Sequence, residues 1–310
     1  DDLTVVDNTI TTVDRSSRGL HILDSYDDNL TIVNNSISTS GNLGWGIDVT
    51  RSANISISGN GIVTSGTVDY WPGTYGLYLH SDVENLTLRN NDINTSYSPP
   101  LFTVDTLNLD IDISNTGFGL PILFNESLVD QVWLQDTVLT GLYRQVVCSN
   151  CVNVTFDNVT AVDVAIHFSD SLNSTINNSI ISNSREWGLA FIDTDYSLIT
   201  YTEVNTSGPS GPALFMAMDA DGNNVSHNRF YSNASADEAV EISDDCGAQY
   251  LFNNSFVVSS GISLNLYRDD GSNTIVDNDF TGGTVMIDSS PNNVFSGNNL
   301  SNPGNYPLTL

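Results

Sequence analysis

The sequence repeats a short motif from one end to the other. The segment DDLTVVDNTI at 1–10 returns as DDNLTIVNNSI at 27–37, ENLTLRNNDI at 84–93, SNTIVDNDF at 272–280 and NNVFSGNNL at 292–300. Neighbouring copies are about 20 to 31 residues apart, a period that is typical of solenoids. Repetition along all 310 residues favours one elongated domain over two ordinary globular ones.

Each repeat contains two short alternating strands separated by Asn and Gly turn residues, such as LTIV at 30–33 and GIDV at 46–49. Neither strand can bury its apolar face alone, whereas stacked coils bury these faces in one continuous core. The sequence therefore predicts an all-β fold, a single right-handed parallel β-helix of about 12 to 13 coils over 1–301. Pro and Gly residues after this segment predict an irregular tail or link at 302–310.

The charge balance excludes one class of partner and limits the environment. The chain carries 8 Lys+Arg against 37 Asp+Glu, for a formal net charge of -29, and every basic residue is Arg. Such a surface repels nucleic acid. No apolar run is long enough to span a membrane. The lysine-free, acidic composition resembles that of proteins from extreme halophiles, especially haloarchaea, and an acidic Ca2+-rich surface coat is the competing interpretation.

The repeated pattern N-x-φ-x-φ-x-x-N-x-φ, where φ is apolar, lies around Asn29, Asn54, Asn85, Asn153 and Asn273. It resembles the right-handed β-helix families with NosD-like or CASH-domain repeats and pectate-lyase-like solenoids. This resemblance implies carbohydrate binding and sugar hydrolysis as family themes. Because these families also include lyases, epimerases, phage spikes, adhesins and transporter accessories, it predicts the fold rather than one activity.

One group of residues has the chemistry of an active site. Asp48, His80 and Asp105 are predicted on neighbouring coils, with Arg51 close by. An Arg or His can abstract a proton while carboxylates hold a metal or an acid proton, so the group suits a polysaccharide lyase or hydrolase. The competing interpretation is that the protein is not an enzyme and none of the four residues is catalytic.

Two further rows of side chains are candidates for binding. Asp195, Asp221, Asp245 and Asp269 are predicted on four successive coils, where stacked carboxylates would bind Ca2+, or would simply be solvated turn residues. Aromatic residues in the loops before the second strand are predicted to line one edge and to contact a carbohydrate or a partner protein. These are Trp45, Tyr70, Trp71, Tyr75 and Tyr97.

A predicted outward column with an apolar middle, Leu123, Val146, Phe191 and Ala217, indicates cover by a loop or a partner chain. N-glycosylation is predicted at sequons, and the alternative is that many sequons arise by chance in an Asn-, Ser- and Thr-rich repeat. The sequon residues are Asn29, Asn34, Asn54, Asn85, Asn94, Asn125, Asn153, Asn158, Asn173, Asn177, Asn205, Asn224, Asn233, Asn253 and Asn299.

The three cysteines predict neither a disulfide framework nor a zinc site, because Cys148-Ser-Asn-Cys151 lacks a second pair and Cys246 is predicted about four coils away. The 3 Met and 4 His are scattered, so a copper role by analogy with NosD proteins is not predicted either. Calcium is the one cofactor that the sequence suggests.

The leading functional prediction is a secreted, N-glycosylated, non-catalytic module at the cell surface. The strand pattern begins at Leu3 without a cap, which predicts an open edge and stacking with other copies or with surface proteins into a filament or layer. The alternative is a polysaccharide-active lyase, hydrolase or epimerase, or a carbohydrate-binding module, with polysaccharide as the partner.

Overall fold

The computed structural model describes residues 2–26, 29–66, 74–207, 211–233, 238–301 and 308–309. Within these ranges the regular elements are β-strands, and none of the described residues forms a helix of the length and apolarity that a membrane crossing requires. The strands pair in parallel and form about 12 turns of β-solenoid, which confirms the predicted fold class. The chain comprises two compact units. Unit 1 contains 1–126 and 141–149, and unit 2 contains 127–140 and 150–310.

Unit 1 stacks its strands coil upon coil. Its strands are Leu3–Val6, Thr9–Thr12, Arg18–Leu23, Leu30–Val33, Ser36–Thr39, Trp45–Ser58, Gly61–Thr64, Leu77–Arg89, Asp92–Thr95, Leu101–Leu107, Asp110–Ile111, Thr116–Gly117, Leu120–Glu126 and Gln145–Ser149. Among the described residues of this unit, the pairings are parallel except the short one between Thr116–Gly117 and Leu120–Glu126. Trp45–Ser58 and Leu77–Arg89 each run along two faces of the coil and shift register at Arg51 and at Ser81–Asp82. Because these residues have positive φ, the strand bends there.

Unit 2 has the same construction. Its strands are Val129–Gln135, Val152–Asp157, Thr160–Val162, Ala165–Leu172, Thr175–Asn177, Ile180–Asn183, Leu189–Asp195, Leu198–Thr200, Glu203–Thr206, Leu214–Ala217, Asn224–Ser226, Arg229–Ser232, Glu238–Ser243, Tyr250–Phe252, Ser255–Val258, Ile262–Tyr267, Thr274–Val276, Asp279–Thr281, Thr284–Asp288, Val294–Ser296, Asn299–Ser301 and Leu308–Thr309. The last strand pairs with Val285 and Met286, so this part of the predicted irregular tail is regular. Residues 302–307 and 310 lie outside the described residues.

The core of each unit consists of columns of apolar side chains that point inward from successive coils. In unit 2, for example, Phe230, Phe256 and Phe280 are aligned by the strand register, and their ring centroids are 5.6 and 4.6 Å apart. Each ring is at most 1% exposed. Because every coil adds another apolar layer, burial of these side chains is the main stabilising contribution.

Polar ladders hold the corners together. In unit 1, Nδ2 of the buried Asn35 donates to Oδ1 of the buried Asn60 on the next coil at 3.0 Å. Nδ2 of Asn60 donates in the same way to the asparagine one coil further on. Unit 2 repeats the arrangement with Asn228, Asn254 and Asn278. The residue just before each ladder position commonly has positive φ, which explains why Asn, Asp and Gly recur there.

The predicted strand register is wrong by one residue at two places. Thr103 pairs with Leu79, so Thr103 rather than Val104 occupies the inward column. In unit 2, Phe191 pairs with Phe168, and both rings are fully buried. Because side chains alternate with a period of two, a slip of one residue exchanges the inner and outer faces.

Candidate functional site

Three neighbouring parallel strands of unit 1 form the candidate site. They are β1 (Arg18–Leu23), β2 (Trp45–Ser58) and β3 (Leu77–Arg89). The register places His21 of β1 beside Asp48 of β2, and Asp48 beside Tyr78 of β3. Two positions further along, Thr50 pairs with His80. All of these side chains alternate with core residues and therefore point away from the core.

Asp48 is the centre of the site. Its side chain is fully buried, and its two oxygens face different partners. Oδ1 lies 3.1 Å from His80 Nε2, whereas Oδ2 lies 2.6 Å from Arg18 Nε and 3.4 Å from His21 Nε2. A buried carboxylate requires such compensation because removing its charge from water is costly. Below we call Arg18, His21, Asp48 and His80 the Asp48 cluster.

The contacts of His80 favour one imidazole tautomer. Its Nε2 lies 3.1 Å from Asp48 Oδ1 and 2.8 Å from the Thr50 hydroxyl, which itself donates to Asp48 Oδ1 at 3.4 Å. Because a carboxylate only accepts hydrogen bonds, we assign the proton to Nε2. The lone pair of His80 is then on Nδ1, where the Ser81 hydroxyl lies 3.0 Å away. His80 is thus oriented by a carboxylate on one side and can accept a proton on the other, which is the arrangement of a general base.

The cluster is accessible although its carboxylate is not. The side chains of Arg18, His21 and His80 are 35%, 33% and 20% exposed. These cationic or protonatable groups surround one carboxylate, so the cluster is locally neutral to positive in a strongly acidic chain. Such a site favours an anionic ligand over a cationic one.

Aromatic rings form the wall beside the cluster. Tyr78 stacks on His80 with a centroid distance of 4.1 Å, and Trp45 packs against Tyr78 at 5.0 Å. The guanidinium of Arg18 lies 4.7 Å from the Trp45 ring centroid, which is cation–π geometry. Burial first, and then the charge of Asp48, raises the pKa of Tyr78. The Tyr78 phenol therefore stays protonated at neutral pH.

The structure brings together two of the four residues predicted for catalysis. Asp48 and His80 are in contact, whereas Arg51 forms an exposed ion pair with Asp24 at 2.6 Å. Asp105 is exposed at a corner with a φ of 54°. The guanidinium of the site belongs instead to Arg18, and sequence reasoning missed both Arg18 and His21. Aligning GLHILDS at 19–25 with the strand containing Asp48 would have found His21.

The four aspartates predicted to bind calcium have other contacts. Oδ1 of Asp195 accepts the backbone N–H of Asp221 at 2.7 Å, and Oδ1 of Asp221 accepts that of Gly247 at 2.6 Å. Asp269 accepts from the Gly271 N–H and the Asn273 amide, while Asp245 is exposed. In the part of the chain that is described, no three His, Cys, Asp or Glu side chains are placed to hold a metal ion.

The predicted aromatic edge is only partly accessible. Trp45 and Tyr97 are half-buried, Tyr75 is fully buried, and Tyr70 and Trp71 lie outside the described residues. Phe191 packs against the Phe168 ring inside unit 2, which corrects its predicted role as a surface contact. In the rest of the predicted outward column, Val146 and Ala217 are fully buried and Leu123 is half-buried, so these side chains are covered.

Every sequon asparagine is at least partly accessible, and none of the fifteen is buried. Cys246 is a free thiol in the core, as predicted from its distance to the other two cysteines. Cys148 and Cys151 are disulfide-bonded, which the sequence did not predict.

Three solved structures resemble this fold. They are the Azotobacter vinelandii mannuronan C-5 epimerase AlgE6 A-module (9% identity, 98% of this chain, 91% of that chain, TM-score 0.43), the Streptococcus pneumoniae surface adhesin PfbA (12%, 96%, 84%, 0.30) and the C387A mutant of DFA-IIIase from Arthrobacter chlorophenolicus A6 in complex with DFA-III (10%, 95%, 75%, 0.29). Likenesses this weak say nothing about activity.

No curated protein matches the chain. The family model described as "Periplasmic copper-binding protein (NosD)" matches residues 110–308, which is more than half of the sequence. The match agrees with the parallel coils and with the repeat pattern. The protein therefore belongs to the NosD family of parallel β-helix proteins.

Proposed function

We propose that this protein works outside the cytoplasm and that its Asp48 cluster binds and transforms an anionic, uronic-acid-containing polysaccharide. The observation that carries the proposal is the fully buried Asp48 carboxylate, which orients His80 and holds Arg18 at an accessible surface. The half-buried Trp45 provides aromatic surface beside these groups, with the buried Tyr78 ring packed against it, and aromatic rings suit the apolar faces of sugars.

The geometry supports proton abstraction next to a carboxylate. Nδ1 of His80 removes the C5 proton of the uronate, Asp48 stabilises the resulting imidazolium, and Arg18 neutralises the enolate that forms on the sugar carboxylate. In a lyase, the electron pair then forms the C4–C5 double bond while the C4–O bond breaks, and the leaving oxygen takes the proton that His80 removed from C5. In an epimerase, a water molecule on the opposite face instead gives a proton to C5, and the resulting hydroxide takes the proton held by His80.

Hydrolysis is less well supported by the same residues. Glycoside hydrolases ordinarily use a carboxylic acid and a second carboxylate on either side of the bond. Asp48 is buried and paired with a guanidinium, so it is suited to orient an imidazole rather than to donate a proton. Its predicted companion, Asp105, is exposed at a corner of the coil.

The described residues of this chain offer no set of ligands for the copper that the family description names. Within the described ranges no group of three metal-binding side chains is present. Two of the 4 His, at positions 21 and 80, are already oriented by Asp48. We therefore derive no step through copper.

The test incubates the protein in D2O with alginate, polygalacturonate and a glucuronate polymer. Ultraviolet absorbance reports the unsaturated product of a lyase, and deuterium at C5 reports reversible proton abstraction. We expect one of these signals, with a fall of about 10²- to 10⁴-fold in His80→Ala. Absence of both signals on all three polymers, at low and at high salt, would contradict the proposal.

A second candidate is the glycosylated surface module. Its support is that all fifteen sequon asparagines are exposed or half-buried. Electron microscopy of protein from its native source, with and without a Ca2+ chelator, tests it together with intact-mass measurement. Filaments or layers and mass in excess of the polypeptide support it, whereas isolated rods of unmodified mass contradict it.

A further inference from the structure

In a row of corner residues in unit 2, one residue has a backbone conformation that is unfavourable for its side chain. Successive coils place a residue with positive φ just before the buried ladder position. These residues are Asn158, Asn178, Tyr201, His227, Asn253, Asp277 and Gly297. Asn, Asp, His and Gly tolerate this left-handed backbone, whereas a bulky Tyr is an outlier there. The φ of 49° at Tyr201 costs on the order of 1 kcal/mol. A ring kept at such a position despite its cost points to a role on the surface.

Tyr201 is also poorly covered. It is 61% exposed, and its ring stacks on the exposed His227 at a centroid distance of 5.1 Å. The His227 ring in turn meets the edge of Phe252 at 5.5 Å. These contacting rings form an aromatic platform, and more than half of the Tyr201 side chain is accessible to solvent.

The platform forms one wall of a groove of about 480 Å3. The same groove is lined by Glu203 and Arg229, whose charged atoms are 3.9 Å apart, and by Asp279 two coils beyond Arg229. The buried Asn228 and Asn254 of the ladder also line the groove. The groove therefore combines a flat apolar surface with a set of hydrogen-bonding groups.

The charge of the groove limits its ligand. Glu203, Asp277 and Asp279 contribute three carboxylates against the single guanidinium of Arg229. An anionic ligand would be repelled, in contrast to the Asp48 cluster, where cationic groups surround one carboxylate. No three metal-binding side chains converge in the described residues, which gives a bare cation no site.

We propose that this groove binds a neutral oligosaccharide. The apolar face of one pyranose ring stacks on Tyr201, and its hydroxyl groups donate to the carboxylates and accept from Arg229. This site is separate in residues and in charge from the Asp48 cluster and does not depend on the activity proposed for that cluster.

The test compares two tyrosines that share a backbone conformation. Tyr201→Asn introduces the residue found at the same corner one coil earlier, Asn178, and relieves the backbone strain. Tyr196→Asn is the matched control, because Tyr196 is 65% exposed with a φ of 48° but packs over Gly222 and does not line the groove. The full chain is made in a host that adds no N-glycans, since the groove residue Asn253 is a sequon asparagine.

Calorimetric titration uses cellohexaose, xylohexaose, mannohexaose and laminarihexaose as probes, with oligogalacturonate and oligolysine alongside. We expect at least one neutral hexasaccharide to bind with a Kd of about 1 mM or tighter, which is about 4 kcal/mol. Tyr201→Asn should weaken it at least tenfold without lowering thermal stability, and Tyr196→Asn should leave it unchanged.

Three results would overturn the proposal: no neutral probe binds, Tyr201→Asn binds as tightly as the wild type, or only oligolysine binds. The variant His80→Ala separates this proposal from the activity of the Asp48 cluster. If this variant loses polymer transformation but still binds the hexasaccharide with unchanged affinity, binding in the groove is independent of the Asp48 cluster.

Discussion

Replacing one buried ladder asparagine should destabilise the protein far more than replacing an exposed corner asparagine. Asn254 is 2% exposed and makes four side-chain hydrogen bonds. Its Nδ2 donates to the Val225 carbonyl at 2.7 Å and to Asn278 Oδ1 at 3.0 Å. Its Oδ1 accepts from the backbone N–H of Asn228 at 2.9 Å and from the Asn228 amide at 3.1 Å.

The magnitude follows from these four bonds. Each contributes about 0.5 to 1.5 kcal/mol, so Asn254→Ala should lower the free energy of unfolding by about 2 to 6 kcal/mol. The loss lies toward the upper end because the Asn228 N–H is left buried without this acceptor. Asn254→Asp keeps the shape but turns the donor into an acceptor facing the Val225 carbonyl, and it should destabilise at least as much at neutral pH.

Equilibrium urea unfolding of the full chain, followed by circular dichroism, measures the effect. With a slope of roughly 3 kcal/mol per molar urea for a chain of this size, the midpoint should fall by roughly 0.7 to 2 M. The control is Asn178→Gly, an exposed corner position with a φ of 49°, which should stay within about 0.5 kcal/mol of the wild type. Equal midpoints for Asn254→Ala and Asn178→Gly would refute the role of the ladder.

Three shorter predictions concern other parts of the chain. Asp219 is exposed, but partial desolvation and then the charge of Asp245 raise its pKa, so its ionisation opposes folding as pH rises from the ordinary aspartate pKa through that raised pKa. Asp219→Asn should therefore melt higher than the wild type at pH 7 in low salt, with the difference disappearing below the ordinary aspartate pKa of about 3.9. Cys246 should react with a thiol reagent only after unfolding, giving one labelled thiol without reductant and three with it; labelling of the native protein would contradict its burial. Gly46→Ala should cost about 1 to 3 kcal/mol in urea unfolding, because its Cβ would lie 2.5 Å from the Gly76 carbonyl oxygen, and an unchanged midpoint would refute that close approach.

The fold was predictable because the features that determine it are local and repeated. The Asn doublets mark the corners, and residues such as Phe256 recur at the same place in each coil. The register was less predictable where the loops between strands differ in length. The slip at Phe191 follows the five-residue segment 184–188, whose length is not shared by neighbouring repeats.

The candidate site was half predictable. Asp48 and His80 were found because both lie in recognisable second strands. The sequence did not predict that Arg18 rather than Arg51 contacts Asp48. Arg51 is close to Asp48 in sequence, but the chain bends away from the site at Arg51, where φ is 45°. Arg18 is 30 positions before Asp48 and reaches it only because β1 and β2 are neighbours in the stack.

The most direct test of the central claim compares alanine variants of these two arginines. Arg18→Ala removes the guanidinium that contacts Asp48, whereas Arg51→Ala removes an exposed ion pair of small energetic value. Each variant is measured for C5 deuterium uptake and unsaturated product on the uronate polymer that the wild type transforms. The account predicts a fall in kcat/KM of about 10²- to 10³-fold for Arg18→Ala and wild-type values for Arg51→Ala. Wild-type activity in a folded Arg18→Ala variant would contradict the assignment of the site.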